Sequence, residues 1–294
     1  MSRSLIIGAA FVDIVLELPK LPSSGQDVTA NFRKYNIGGS AFNVYGALQY
    51  AEQPADLFVP VGNGQYADMV RAQMQRAKIS EKLSISTGDN GWDLSFVEPN
   101  GERTFVTIQG VEQQWRPEWF DNINVKDYQY FYLSGYEMED PKTANVILDG
   151  LANRRSDSYL LFDVSPRVSY LSPKIMARLL TQHVIVHANQ DEVGELLGNG
   201  SNLAGKITQV NQRTNAPVLV TLGEAGTLYY HDGKQEKITA EKNRVVNTIG
   251  AGDTYCGGII AGLSQGMSMI DAIKFGTHLA SLVVGQETSS LINH

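Results

Sequence analysis

The sequence predicts a doubly wound α/β fold: a mostly parallel sheet with helices on both faces, and a small separate β-sheet beside it. Three observations carry this expectation. Short, continuously apolar runs recur along the chain, as strands buried on both faces require. Helix-length stretches separate them. Two further segments stand outside that alternation, one without any helix pattern and one alternating apolar and polar residues.

In chain order the strand-like runs are Leu5-Ile6-Ile7, Leu57-Phe58-Val59, Tyr130-Phe131-Tyr132-Leu133, Tyr159-Leu160-Leu161-Phe162, Val184-Ile185-Val186, Val218-Leu219-Val220 and Val245-Val246. The helix-like stretches are 41–52, 66–78, 142–154, 173–181, 190–197, 202–214, 254–265 and 269–284. Residues 12–36 include Pro19, Pro22 and Gly25 and show no helix signal. Residues 92–109 alternate around Pro99-Asn100-Gly101, and Asn-Gly is a strong hairpin signal. Residues 227–233 read as another hairpin. The expectation is one domain over 1–294, with segments of about 12–36 and 90–110 forming a β flap.

Composition narrows the class. Hydrophobic residues make up 43% and charged residues 19% of the 294, enough for a large core. Net charge is −7 and basic residues come at most in pairs, which excludes a basic nucleic-acid footprint. Cys256 is the lone cysteine, so no intrachain disulfide and no cysteine-based zinc site is expected, and a reducing, cytoplasmic setting is. The opening MSRSLIIGAAFVDIVL could suggest a signal peptide, but Asp13 interrupts it and a buried first strand fits better. No apolar run reaches 18 residues, so no membrane span is expected. The five histidines show no metal-ligand spacing.

The stretch NTIGAGDTYCGG, 247–258, carries the most chemistry. Val245-Val246-Asn247 is expected to end a strand, Gly250-Ala251-Gly252 to turn, and a helix to start near Thr254. Glycines let backbone approach a ligand, and a helix N-terminus beyond a strand's carboxyl end suits an anion. A carboxylate beside a phosphate is unfavourable unless it takes a proton from the hydroxyl attacking that phosphate. Asp253 fits that role, with the amides of Gly250, Ala251, Gly252 and Asp253 steadying the transferring group. Helix capping by Asp253 is the plainer alternative, and residue chemistry alone leaves both open.

The GAGDT stretch resembles the second signature of the ribokinase, or PfkB, family of carbohydrate and nucleoside kinases. Gly38-Gly39-Ser40-Ala41-Phe42-Asn43 resembles its N-terminal Gly-Gly motif, Asn189-Gln190-Asp191-Glu192 its Asn-x-x-Glu motif, and Thr221-Leu222-Gly223-Glu224-Ala225-Gly226 its nucleotide loop. Four motifs in order span essentially the whole chain. The resemblance implies a ribokinase-like fold with a β-sheet lid. It implies a phosphotransferase with an alcohol group as acceptor, moving the γ-phosphoryl group of ATP to a sugar or sugar-like small molecule. Asp253 would be the base. Asp13, Gly38, Gly39 and Asn43 would hold the acceptor; Asn189, Thr221, Gly223 and Gly226 would hold the nucleotide. Glu192 would organise Mg²⁺ and its water shell. The segment from Phe275 to Val284 and the loop after it would cover the adenine, and lids of this family often pair into homodimers.

Each position also has an ordinary reading. Asp13 fits a loop aspartate, Gly38-Gly39 a turn, Asn189 with Glu192 a capping box, and 221–226 a strand-to-strand turn. The chain departs from the family at Asn247, where many relatives have Asp, and at Ile249, where many have a small polar residue. Gln286-Glu287-Thr288-Ser289 replaces a Gly-Ala loop. Both halves of the family's monovalent-cation site differ, which puts potassium activation in doubt.

Two alternatives stay open. One is a nucleoside kinase whose Phe11, Phe42, Trp92 and Phe96 stack a base; the other is a non-catalytic ligand sensor on the same fold. A third pattern competes locally: Gly62-Asn63-Gly64-Gln65-Tyr66-Ala67 fits a dinucleotide fingerprint, with Glu81 as the ribose acid. No G-x-x-x-x-G-K-[ST] phosphate loop occurs.

Overall fold

A computed structural model describes residues 2–99, 101–196 and 202–292. The chain opens with β1 (Ser4–Ile7), β2 (Phe11–Glu17), β3 (Asn31–Gly38), α1 (Ser40–Tyr50), β4 (Ala55–Phe58), β5 (Pro60–Val61) and α2 (Gln65–Arg76). It continues through β6 (Leu83–Ser84), β7 (Trp92–Val97), β8 (Arg103–Ile108), β9 (Tyr130–Ser134), α3 (Pro141–Gly150), β10 (Tyr159–Asp163), α4 (Pro173–Leu179) and β11 (Val184–Asn189). The last elements are α5 (Gln190–Leu196), α6 (Leu203–Thr214), β12 (Val218–Thr221), β13 (Thr227–His231), β14 (Lys234–Ile238), α7 (Ala251–Ser264) and α8 (Met269–Val284).

The main sheet has the order β14-β13-β12-β11-β10-β9-β1-β4. Neighbours from β4 to β12 pair in parallel, and β13 and β14 add an antiparallel hairpin at one edge. Strand alternation splits its side chains between two cores. Leu5, Ile7, Phe131, Leu133, Leu160 and Phe162 face α3 to α6, meeting Ile147, Ile175, Val193 and Ile207. Ile6, Tyr132, Leu161 and Ile185 face the other layer, meeting Phe42, Val70, Ile259 and Ile273 of α1, α2, α7 and α8. Because both faces are covered, these strands read as unbroken apolar runs. The doubly wound, mostly parallel architecture is as the sequence predicts.

A second, four-stranded sheet has the order β3-β2-β7-β8. Two antiparallel hairpins, β2–β3 and β7–β8, join through the parallel pair β2–β7. Asn100, in the expected Asn-Gly turn, lies outside the described residues, as does residue 197 at the end of an expected helix.

Val245-Val246 is not a strand. The two valines are 58% and 47% exposed, and the amides of Val246 and Asn247 bond the carbonyl of Val284 at the end of α8. The sheet edge they would have joined is already taken by β14. No helix among the described residues is long and apolar enough to cross a membrane.

Helices α7 and α8 pack through small residues: a Cβ on Gly258 would lie 2.6 Å from Gly276 Cα. Gly258→Ala is therefore expected to lower unfolding free energy by about 1–3 kcal/mol through overpacking, although Ala is the better helix former. Gly194→Ala in α5, where an added Cβ meets nothing within 4 Å, is expected to be neutral or stabilising. Urea titration of both variants checks the contrast.

Candidate active site

The site forms around the N-terminus of α7. Gly250 takes a left-handed conformation (φ 77°), and a Cβ there would come 2.0 Å from the Ser289 carbonyl. Only glycine permits this turn against the C-terminal loop. The helix starts at Ala251, so Gly250 alone makes the turn; Ala251 and Gly252 already belong to the helix. The Ala251 amide turns back to Thr248 O at 3.3 Å, so Gly252 and Asp253 offer first-turn amides to an anion.

Asp253 does not cap α7: no side chain caps this helix. Its Oδ2 accepts a 2.9 Å hydrogen bond from Asn43 Nδ2 on α1. Burial, then the charge of Asp163, pushes its pKa up to about 6, while bonds from Asn43 and Ser40 favour the ionised form. The carboxylate is therefore ionised at neutral pH yet basic enough to take a proton.

The Gly-Gly turn places Asn43. Gly39 sits at φ 102°, where a Cβ would be 2.5 Å from Ala9 O, and its carbonyl accepts the Asn43 amide at 3.0 Å. A Cβ on Gly38 would meet Asp13 Oδ2 at 2.9 Å, so glycine lets the Asp13 carboxylate lie against the turn. Asp13 is a strand residue of β2 rather than a loop one, and its Oδ2 accepts from Asn36 Nδ2 at 2.9 Å. Asp13, Gly38, Gly39, Asn43 and Asp253 thus form one connected group.

Asn189 and Thr221 end the parallel strands β11 and β12 as Cα partners. Asn189 and Glu192 make a reciprocal capping box: the Asn189 amide donates to Glu192 Oε2 at 2.7 Å, and the Glu192 amide to Asn189 Oδ1 at 2.9 Å. Burial raises the Glu192 pKa. The box uses Oε2 and leaves Oε1, a hard oxygen donor of the kind a hydrated Mg²⁺ takes. Gly223 opens an exposed turn that Gly226 closes, with Leu222 N bonding Gly226 O at 2.8 Å. Phe275 of α8 packs partly into the core.

Asn247 spans the place expected for a monovalent cation. Its Nδ2 donates to the Glu287 carbonyl at 3.2 Å, and its Oδ1 accepts the Ile249 amide at 3.1 Å. A donor group here joins the two loops directly, and that donor set does not suit a cation.

The dinucleotide pattern at 62–67 fails on geometry. Asp89 fills the N-terminus of α2, accepting from the amides of Tyr66 (3.1 Å) and Ala67 (2.7 Å). Glu81 is paired with Arg71 at 2.9 Å. Of the four aromatics weighed as base-stacking groups, Phe42 is buried in the core and Trp92 stacks on Tyr66.

Three groups near the site are not singled out by any motif. Glu137, just past β9, is buried with Oε2 unpartnered, and burial pushes its pKa up to about 8. Its signal was position alone: it follows the carboxyl end of a parallel strand. Asp93 lies beside Asp13 on the small sheet. Asp163, His187 and Cys256 cluster beneath Asp253, with His187 Nδ1 2.9 Å from Asp163 Oδ1 and 3.3 Å from Cys256 Sγ. Burial lowers the His187 pKa, but the bond to Asp163 and the charges of Asp163, Glu192 and Asp253 together outweigh it and the net shift is upward. The Nδ1 proton then points at Asp163 and is not a metal lone pair.

A family model described as pfkB family carbohydrate kinase matches residues 1–293. An uncharacterised sugar kinase of Escherichia coli K12, YegV, is 33% identical over 285 residues, covering 96% of this chain and 88% of that protein. The adenosine kinase of Schizosaccharomyces pombe is 26% identical over 268 residues, covering 82% and 77%. The crystal structure of Cryptococcus neoformans ribokinase in complex with ADP superposes with a TM-score of 0.80 at 23% identity, covering 98% of this chain and 96% of that one. That structural likeness carries the fold alone.

Removing the Asn43 amide takes away a bond that favours ionised Asp253. In Asn43→Ala the Asp253 carboxyl is expected to titrate above its wild-type midpoint of about 6. Carbon NMR of the labelled carboxyl group reads the shift; a midpoint that falls contradicts the assignment.

Proposed function

We propose that this chain, which belongs to the pfkB family of carbohydrate kinases, transfers the γ-phosphoryl group of ATP to a hydroxyl of a sugar or sugar-bearing small molecule. The observation that carries the reading is Asp253 itself. It stands in the first turn of α7 but caps nothing, is held by Asn43, and has a basicity suited to a proton acceptor. A cap or a solvated surface acid would need none of these features.

In this reading the acceptor hydroxyl lies between Asp253 and the first-turn amides of α7. Asp253 takes the hydroxyl proton as the oxygen attacks the γ-phosphorus, the bond from that phosphorus to the β,γ-bridging oxygen breaks and ADP leaves, and the amides of Gly252 and Asp253 meet the charge on the transferring group. Asp13, Gly38, Gly39 and Asn43 orient the acceptor. Asn189, Thr221, Gly223 and Gly226 border the nucleotide. Mg²⁺, held through water by Glu192, would neutralise phosphate charge. The small sheet acts as a lid over this centre and excludes water. Glu137, buried near Asp253, adds a second carboxyl to this centre. Asn247 takes over the cation's linking of the two loops, so catalysis proceeds without potassium.

Acceptor-dependent ADP release tests the reading. Asp253→Asn is expected to lower kcat by about 10²–10⁴-fold, the worth of a positioned base. In wild type, kcat/KM should fall below pH about 6 as Asp253 gains its proton. Replacing potassium by tetramethylammonium should leave kcat/KM unchanged. A mutant that matches wild type at every acceptor leaves Asp253 without a catalytic role, and an acceptor that binds without turnover points to a ligand sensor.

A further inference from the structure

Asp163 and His187 are Cα partners on the parallel pair β10–β11. Each lies two residues after a side chain that faces the layer holding α7, Leu161 and Ile185, so both face that layer too. His187 is only 4% exposed. Its Nδ1 stands 2.9 Å from Asp163 Oδ1, and the Tyr132 hydroxyl donates to Asp163 Oδ2 at 3.4 Å. With the Nδ1 proton held by Asp163, Nε2 is the ring atom left to act, and it is buried without a hydrogen-bond partner.

The ring lies lengthwise under the start of α7. Cys256 Sγ is 3.3 Å from Nδ1, and the ring centres of Tyr255 and His187 are 5.2 Å apart. A Cβ on Gly252, one turn nearer the helix start, would be 3.9 Å from Cε1; apart from α7's own backbone it would meet nothing else within 4 Å. From Nδ1 through Cε1 to Nε2 the ring therefore runs toward the first turn of α7, where the Gly252 and Asp253 amides suit an anion. A bare Nε2 lone pair repels an anion seated there, whereas Nε2–H attracts it. Asp163 on β10, Glu192 on α5 and Asp253 on α7 add negative charge around the ring. Tyr132, Tyr255 and Cys256 are the other titratable groups against it, and burial pushes all three up, so they stay neutral.

We propose that His187 is a positioning residue for the phosphate end of the nucleotide: it takes up a proton on Nε2 as the terminal phosphoryl group settles on the first turn of α7, and the Asp163–His187 pair then holds a cation beneath that group, across Gly252. The proton comes from solvent and returns to it when the anion leaves. The inference rests on the kinase reading and gives its phosphate site a charge that the helix end alone does not supply. It also fixes a pH dependence. Binding that takes up a proton weakens as pH rises, by up to about tenfold per pH unit where uptake is complete.

The test is calorimetry of ATP with Mg²⁺, without acceptor, in two buffers of unlike ionisation enthalpy, with ADP for comparison. It runs between about pH 7.5 and 9, above the second pKa of a phosphate ester at about 6. Wild type is expected to take up proton on binding ATP, more than on binding ADP, and its ATP Kd should rise across the window. Nitrogen NMR of the labelled imidazole reads the same event with no substitution, as Nε2 gaining its proton when ATP is added. His187→Gln, whose amide cannot take a proton, should lose both the uptake and the rise, and should bind ATP about tenfold more weakly near pH 7.5, with acceptor Kd kept. Asp163→Asn keeps the imidazole but removes the carboxylate that matches its charge, so uptake should shrink. ATP binding without proton uptake overturns the proposal. So does uptake that survives His187→Gln, which would belong to Glu137 or Asp93, both pushed up to about 8. Proton uptake at His187 with no acceptor ever phosphorylated leaves His187 standing and defeats the kinase reading; turnover with an ATP Kd that is flat across the window does the reverse.

Discussion

The hydrogen bond from Asn43 to Asp253 ties the candidate site together. It joins α1, which follows β3 of the small sheet, to α7, whose first turn is the proposed anion site. Through Gly38 and Gly39 the same link reaches Asp13, and through Asn36 and Ser289 it reaches the C-terminal loop packed on Gly250. Residues more than 200 positions apart in the chain are thereby held in one cluster. The parallel sheet supplies the platform, since β9 to β12 all end at this side of the molecule.

Charge is the organising problem of this cluster. Asp13, Asp93, Glu137, Asp163 and Asp253 crowd into a partly dry region, where like charges are costly. The protein answers each case differently. Asp163 is matched by His187 at 2.9 Å; Asp253 and Asp13 take amide donors; Asp93 and Glu137 are pushed up to about 8, so they hold their protons at neutral pH. Net charge in the cluster is kept low while Asp253 stays basic enough for its proposed role as proton acceptor.

Much of the fold was legible in the sequence because strands buried on both faces read as plain apolar runs. Val245-Val246 misled for the same reason: two valines resemble a strand, and only the topology shows that the sheet edge is already occupied. The glycine-rich segments were legible because backbone geometry constrains them locally. The Asn189–Glu192 box was visible as a cap, since its spacing of three is a helix property. The partnership of Asp13 with Asp93, of Asn43 with Asp253 and of Asp163 with His187 was not legible. Each depends on cross-strand register or on two helices meeting, and neither leaves a local pattern. The role of Asn247 as a bridge was equally hidden, because its partner lies in a loop 40 residues on.

The build of the small sheet has a further consequence for its stability. Its hairpins β2–β3 and β7–β8 are separated by α1, β4, β5, α2 and β6, and they meet only along β2–β7. A lone two-stranded hairpin is marginal in water, so each depends on the other and on the main domain for its order. The parallel seam is therefore a cooperative joint: loss of the β2–β7 pairing, which carries Asp13 on one strand and Asp93 on the other, would leave two marginal hairpins. The seam that joins the two hairpins and the residue proposed to hold the acceptor, Asp13, lie on the same strand pair.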